Sequence, residues 1–384
     1  MADVKGMKIA YDSQIFSAQV YGGISRYFCE IARRIAKEPG LQVSIAAPMY
    51  VNAYLEDMPE GLVSGFRAPK IIGSRLLQRG VGMLIGDWML RSKAPDIVHE
   101  TYYFPYRLGP RRARRVLTIH DMIPEKFASN LLHTEKTAQY KVLAAKRADH
   151  VICISESTRR DAIEILGLQP DKTSVIYHGF DLMNARVKVA TNVVLPTNKP
   201  YLLYVGIRGG YKNFLGLLEA YASSPLLRTE YGLICFGGGA FSQDEQKVFE
   251  MHGLDQAQII QIGGSDQLLA ELYKNASVFV YPSLYEGFGM PPLEAMAHDC
   301  PVACSNSGSI PEVVADAGEY FDPGNIESLR VAIEHVTESA SHRGALIKKG
   351  HERLKLFSWD HCATKTLDVY NALVGTKIKL CDAR

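Results

Sequence analysis

The sequence predicts an α/β protein made of two doubly wound domains, each a parallel sheet covered by helices on both faces. Three observations predict it. Short apolar runs of strand length alternate with amphipathic segments of helix length along the chain. The alternation stops near Asp181 and restarts at Pro200, with a polar, aperiodic stretch from Asn184 to Asn198 between. Each half also carries glycines that follow its first strand and precede a helix: Gly22-Gly23 in the first, Gly206 to Asn213 in the second. A length of 384 residues suits two to three domains. Paired domains of this kind place a ligand crevice outside the carboxyl ends of their strands.

In the first domain, Lys8–Tyr11 is the opening strand, and Gln42–Ala47, Ile97–His99, Arg115–Ile119, Val151–Ile154 and Thr173–Tyr177 follow. Helices fit at Ile24–Lys37, Thr134–Arg147 and Ser157–Leu166, and Ser155 stands where an N-cap is needed. In the second domain, Tyr201–Val205, Gly232–Phe236, Ile259–Ile262, Val278–Tyr281 and Val302–Cys304 read as strands. Helices are expected there at Phe214–Ala222, Ser265–Lys274 and Leu293–His298, and a last amphipathic helix at Cys362–Leu373. The domain limits read from this pattern are 1–183, a linker at 184–199, and 200–361.

Composition excludes several classes. Apolar content of 47% with 22% charged residues is that of an ordinary globular protein. No run has the length of a membrane span and Met1–Met7 carries no apolar signal region, so the expected location is the cytoplasm. The seven cysteines are scattered and odd in number, which fits buried thiols in a reducing compartment. Net charge is +2, unevenly spread: residues 1–185 hold 25 Lys/Arg against 19 Asp/Glu, residues 186–384 hold 18 against 22. The basic half points to an anionic partner.

The segment Tyr281 to Glu294 is the most informative. An apolar strand delivers Glu286, then the flexible loop Gly287-Phe288-Gly289, then Pro291-Pro292, which suit a helix's first turn. Glu294 falls about one turn inside that helix. Two carboxylates and a row of helix-start amides thus face the carboxyl end of one strand, which suits an oxygen-rich, anionic ligand such as a sugar nucleotide.

Other residues fill in around it. Arg208 offers a planar fork and Lys212 a point charge, both suited to a diphosphate. Gly22-Gly23 lets backbone amides curl toward a ligand, but lacks the third glycine of the dinucleotide-dehydrogenase fingerprint. His120, at the end of a strand, is placed to bond a sugar hydroxyl, whereas His178 reads as a hinge residue. The basic run Arg107 to Arg115 reads as a solvated loop, and Arg75 to Arg91 as either an interfacial or a core helix. Together they allow a peripheral contact with an anionic membrane. There is no Asp-x-Asp pair, zinc-ligand spacing or Walker loop.

These residues together resemble the retaining GT-B glycosyltransferases of family 4. The resemblance covers nearly the whole chain and rests on Gly22-Gly23, His120, Arg208 with Lys212-Asn213, Glu286 to Glu294, Pro301-Val302 and Ser309 to Glu312. It implies two Rossmann-like domains facing across a crevice, with residues 362–384 returning to the first. It implies that Arg208 and Lys212 hold the donor diphosphate, that Glu286 and the amides of Gly287, Phe288 and Gly289 bind the donor sugar, and that Glu294 bonds the ribose. Gly22-Gly23 would close over the phosphates or place the acceptor, and His120 would touch the sugar near its C6 hydroxyl. No metal or other cofactor is implied, in keeping with the missing Asp-x-Asp. The route would be a front-face displacement in which the leaving phosphate helps deprotonate the acceptor. The spacing from Arg208 to Lys212 is shorter than the usual pattern.

The segment Tyr285 to Pro292 is similar to those of bacterial mannosyltransferases that build O-antigen and capsule chains. It implies GDP-mannose as donor and a saccharide or polyprenyl-diphosphate-linked acceptor, with action in the cytoplasm or at the cytoplasmic face of the inner membrane. UDP-glucose, UDP-galactose and UDP-N-acetylglucosamine are the alternative donors. A non-catalytic sugar-nucleotide-binding protein would have lost its carboxylates, which are present here. A nucleic-acid partner would call for aromatics within the basic run, and Arg107–Arg115 has none. A phosphorylase needs a far longer chain, and an epimerase needs acid/base residues that are not apparent.

Overall fold

The computed structural model describes residues 6–69, 75–127, 134–181, 195–255, 257–378 and 380. The stretch read as a linker lies outside the described residues over 184–194. Residues up to Gly179, together with those from Ser358 onward, form one compact unit; Phe180–Phe357 form the second.

The first unit is built on β1 (Met7–Tyr11), β2 (Leu41–Tyr50), β3 (Val63–Arg67), β4 (Ile97–Glu100), β5 (Arg114–Ile119), β6 (His150–Cys153) and β7 (Thr173–Val175), in the order β3-β2-β1-β4-β5-β6-β7. The second is built on β8 (Tyr201–Val205), β9 (Gly232–Phe236), β10 (Ile259–Ile262), β11 (Val278–Tyr281), β12 (Val302–Ser305) and β13 (Gly318–Phe321), in the order β10-β9-β8-β11-β12-β13. The described strand pairs are all parallel. In each sheet the winding reverses once, between β1 and β4 and between β8 and β11, as in the doubly wound Rossmann-like arrangement. Every residue of β4, β11 and β12 is buried. Strands covered on both faces read as unbroken apolar runs, which is why the sequence reveals them. The two strands the sequence reading lacks, β3 and β13, are edge strands, short and mostly not buried.

Local chemistry sets the helix ends. Ser155 Oγ accepts from the Thr158 amide and starts the helix Glu156–Leu166, which Gly167 ends in the left-handed region. The helix Arg75–Lys93 combines features of both readings. It packs on β2 with Gly82 and Gly86 near Met49 and Pro48, while Leu84 and Trp88 stay exposed. The basic run is only partly solvated. Arg115 is fully buried, donates to the carbonyls of Leu108 and Pro110, and lies 3.7 Å from Glu100. Among the described residues, no helix is long and apolar enough to cross a membrane. Six cysteines are free and buried; Cys381 lies outside the described residues.

The last helix, Trp359–Val374, buries Trp359, Cys362, Ala363, Thr366, Leu367, Tyr370 and Asn371, a single stripe at helical spacing. It packs on the helix Gly23–Ile35 and joins the first unit's core. Burying each large apolar side chain of this stripe contributes roughly 1.5–3 kcal/mol. Tyr370 also closes a polar network: its hydroxyl lies 2.6 Å from His99 Nδ1 and 3.1 Å from the Tyr11 hydroxyl, while His99 Nε2 lies 2.8 Å from Thr118 Oγ1. Burial pushes the His99 ring down to about 3 and His178 likewise to about 3. His120 is held well below its ordinary value, first by burial and then by His178, His99 and Lys141.

These depressed rings set a pH dependence. The unfolded chain protonates its histidines near pH 6.5, whereas folded His99 stays neutral down to about 3. Between those values the unfolded state binds more protons, so stability falls as pH drops from about 6.5 toward 3, by up to about 1.4 kcal/mol per pH unit for each ring. Denaturant titrations at pH 7, 6 and 5 should show this slope, and His99→Gln should remove close to one proton from it. An unaltered slope in that variant would take His99 out of the linkage.

Candidate active site

In the second unit, the predicted residues converge where the strand order reverses. β8 and β11 are neighbours, and their carboxyl ends deliver Gly206–Asn213 and Pro282–Glu286. Two bonds stitch these loops together: the Leu284 amide donates to Tyr211 O at 2.7 Å, and Asn213 Nδ2 donates to Pro282 O at 3.1 Å; Asn213 Nδ2 also reaches Pro323 O at 2.8 Å. The result is a direct pair: Lys212 Nζ donates to Glu286 Oε1 at 2.6 Å, and both side chains are mostly buried. Lys212 Nζ also sits 5.1 Å from the Tyr211 ring centroid and 5.7 Å from that of Tyr281. The Tyr281 hydroxyl bonds Glu286, and burial together with that carboxylate holds it well above its ordinary value.

Arg208 leaves the same strand but turns elsewhere. Its guanidinium is 3% exposed and makes four bonds: Nε to Glu245 Oε1 (2.9 Å), Nη1 to Gly237 O (2.9 Å), and Nη2 to Gly239 O and Ala240 O (2.8 Å each). Phe241 and Phe214 face the guanidinium at 4.7 and 5.6 Å. The sequence expectation aims this fork at a diphosphate; in the structure it clasps the glycine loop that follows β9. Gly237, Gly238 and Gly239 all have positive φ, and a Cβ at Gly238 would meet Arg208 Nη1 at 2.7 Å, so the clasp itself requires glycine there.

The loop after Glu286 is held from behind. Ser309 Oγ donates to Glu286 O at 2.9 Å or Phe288 O at 2.8 Å, with both carbonyls in reach. Gly287, Phe288 and Gly289 are buried, with the Phe288 ring edge-on to Phe357. Gly289, at φ 107, starts the helix Met290–Ala297, which has prolines in its first turn and no side-chain cap. Such a helix start presents backbone donors and a positive dipole end. Glu294 lies one turn in, half-buried, and its Oε2 accepts from the Tyr273 hydroxyl at 3.3 Å.

The remaining predicted residues belong to the first unit. Gly22, in extended backbone, starts the helix Gly23–Ile35 without a side-chain cap, and Gly23 borders open space. One turn into that helix, Tyr27 packs edge-on to His120 at 5.2 Å and lies 4.9 Å from the His178 ring, which also contacts Trp359. His178 is thus part of a buried aromatic cluster. His120 Nε2 is buried with no hydrogen-bond partner among the described residues. Sequence reasoning missed Glu245, the Gly237–Gly239 loop and the clamp by Ser309. The triple glycine after an apolar strand and the Ser309 to Glu312 motif are the signals that could have found them.

The pattern described as Glycosyltransferase Family 4 matches residues 21–183, and that described as Glycosyl transferases group 1 matches residues 189–353. The O-antigen chain mannosyltransferase B of Escherichia coli is 32% identical over 299 residues, covering 74% of this chain and 77% of that one. The chain belongs to the family 4 glycosyltransferases. A serotype-specific mannosyltransferase of Escherichia coli, WbdA, is 26% identical over 311 residues; the match spans 75% of this glycosyltransferase but 38% of that protein. Among solved structures, a glycosyltransferase from Rickettsia africae ESF-5 superposes with a TM-score of 0.68 at 19% identity, over 97% of this chain and 100% of that one. Anabaena HepE, solved in complex with UDP-glucose, superposes with a TM-score of 0.68 at 19% identity, over 95% and 100%. These likenesses give this glycosyltransferase the GT-B fold, with its two Rossmann-like domains.

Proposed function

We propose that this glycosyltransferase moves mannose from GDP-mannose, with retention of configuration, onto a saccharide or lipid-linked saccharide in the synthesis of a cell-surface polysaccharide. The observation that carries the reading is the Lys212–Glu286 pair at the strand-order reversal, in a chain 32% identical to an O-antigen mannosyltransferase. In this reading Glu286 orients hydroxyls of the donor sugar together with the loop Gly287-Phe288-Gly289, and Glu294 bonds the ribose. Lys212 and the amides at the helix start after Gly289 stabilise the departing diphosphate, which accepts the acceptor's proton in a front-face displacement. Arg208 acts on the donor side indirectly in this reading, by fixing the glycine loop after β9 in place of touching the diphosphate. The uncapped amides after Gly22-Gly23 suit an anion, and His120 Nε2 offers its unpartnered nitrogen to a sugar hydroxyl. Transfer needs no metal ion. The enzyme acts in the cytoplasm, and the exposed Leu84 and Trp88 beside Arg91 and Lys93 support a peripheral contact with the inner membrane's cytoplasmic face.

A donor panel tests this. GDP-mannose should raise the melting temperature by several degrees at about 100 times its Kd, and should be slowly hydrolysed, with undiminished rate in EDTA. Stabilisation by UDP-glucose, UDP-galactose or UDP-N-acetylglucosamine in its place would transfer the reading to that donor. No response to any sugar nucleotide would end it.

A further inference from the structure

On the edge of the second unit, away from the Lys212–Glu286 pair, three metal-binding side chains meet. Glu319 stands on β13, His335 on the last turn of the helix Ile326–Glu338, and His342 on the first turn of the helix Ala340–Leu354. Their donor atoms all lie within 4.8 Å of one another. His335 Nδ1 is 3.1 Å from Glu319 Oε1, and His342 Nε2 is 2.8 Å from Glu319 Oε2. The two imidazoles are stacked, 4.3 Å apart at 17°.

The sequence hides this set, because seven positions separate the histidines and the carboxylate comes from a strand sixteen residues before the first of them. The bend between the helices creates it. Ser339 ends one helix and caps the next by accepting from the His342 amide at 3.2 Å, and Arg343 Nη1 donates to the carbonyls of Val336 (3.0 Å) and Thr337 (2.7 Å). Those bonds hold both rings over one carboxylate.

From this geometry we propose that Glu319, His335 and His342 bind a zinc ion. Metal–ligand bonds of about 2.0–2.1 Å in a tetrahedron put neighbouring donor atoms about 3.4 Å apart. The two carboxylate–imidazole gaps need to open by a few tenths of an ångström. The gap between the ring nitrogens is at most 4.8 Å, and the stacked rings have to turn about their side-chain bonds to aim both lone pairs at one ion. Two imidazoles and one carboxylate are a set zinc accepts, and both ring nitrogens bind once they present lone pairs instead of N–H groups. His335 is half-exposed, so the fourth position opens to water. The ion would tie the edge strand to both helices and occupies none of the residues assigned to the donor.

The test is calorimetric titration of Zn²⁺ into the chelator-treated full chain, with Co²⁺ spectroscopy in parallel. One ion per chain should bind at this site, raise the melting temperature, and give visible Co²⁺ bands. His335→Ala, His342→Ala and Glu319→Gln should each weaken binding by at least about tenfold, since even removal of a ligand's outer partner costs that much. His351→Ala, which alters a separate exposed pair with Asp299, should leave it unchanged. His335 is exposed enough that its replacement leaves the fold intact. Absence of stoichiometric binding in the wild type, or equal binding in His335→Ala, overturns the assignment.

Discussion

Glu286→Ala should lower glycosyl transfer by at least about a hundredfold while the protein still folds, because a donor misplaced by about 1 Å loses that much rate. The carboxylate is 7% exposed and is the counter-charge of Lys212 at 2.6 Å. On the proposed reading, its removal takes away the acceptor for donor-sugar hydroxyls and also releases the ammonium assigned to the diphosphate. The structural cost is smaller. Lys212 keeps some contact with water, 17% of its side chain, and the Tyr211 and Tyr281 rings remain around it. A loss of about 1–2 kcal/mol is expected for the broken bond. Glu286→Gln, which keeps shape and hydrogen bonding but drops the charge, should fall between the two. The measurements are the turnover with the accepted sugar nucleotide and the thermal midpoint. A rate within a few-fold of wild type removes Glu286 from the mechanism, and a collapsed midpoint reassigns it to the fold.

Arg208→Ala should do the reverse, destabilising the second unit by about 3–5 kcal/mol, as expected when one partner of a buried ion pair is removed. Arg208 and Glu245 are each 3% exposed, so the variant strands a carboxylate away from water, and three loop carbonyls lose their donor. For a unit of this size the melting temperature should fall by on the order of 10 °C. Arg208→Lys should not rescue it, because one ammonium cannot span the fork's four acceptors. Lys212→Ala is the contrast: it leaves one mostly buried carboxylate unpaired, at a cost of about 1–3 kcal/mol, but transfer is lost. If Arg208→Ala melts like wild type and only weakens donor binding, the guanidinium belongs on the diphosphate after all.

What the sequence reveals follows from where the causes lie. Strands such as Val278–Tyr281 are buried on both faces and announce themselves as apolar runs, whereas Val63–Arg67 and Gly318–Phe321, at the edges, keep polar and glycine residues and do not. The Glu286 loop is legible because its parts are contiguous: strand end, glycines, prolines and helix. The partners that hold it are not. Ser309 reaches it from 21 and 23 residues away, and Arg208 finds Glu245 at a separation of 37. Both depend on which strands become neighbours, and no local pattern encodes that. Tyr11 and Tyr370, 359 residues apart, are the extreme case.

That last pairing governs the order in which the molecule is completed during synthesis. The second unit is one uninterrupted segment and has all its residues as soon as Phe357 has left the ribosome. The first unit begins to emerge earlier but lacks the helix Trp359–Val374 until the end. Until then His99 and Tyr11 have no Tyr370 hydroxyl to meet, and the side of the helix Gly23–Ile35 that the last helix packs on has no cover. The half of the chain made first is therefore the last to be finished, and for that interval it is the part that chaperones and proteases encounter.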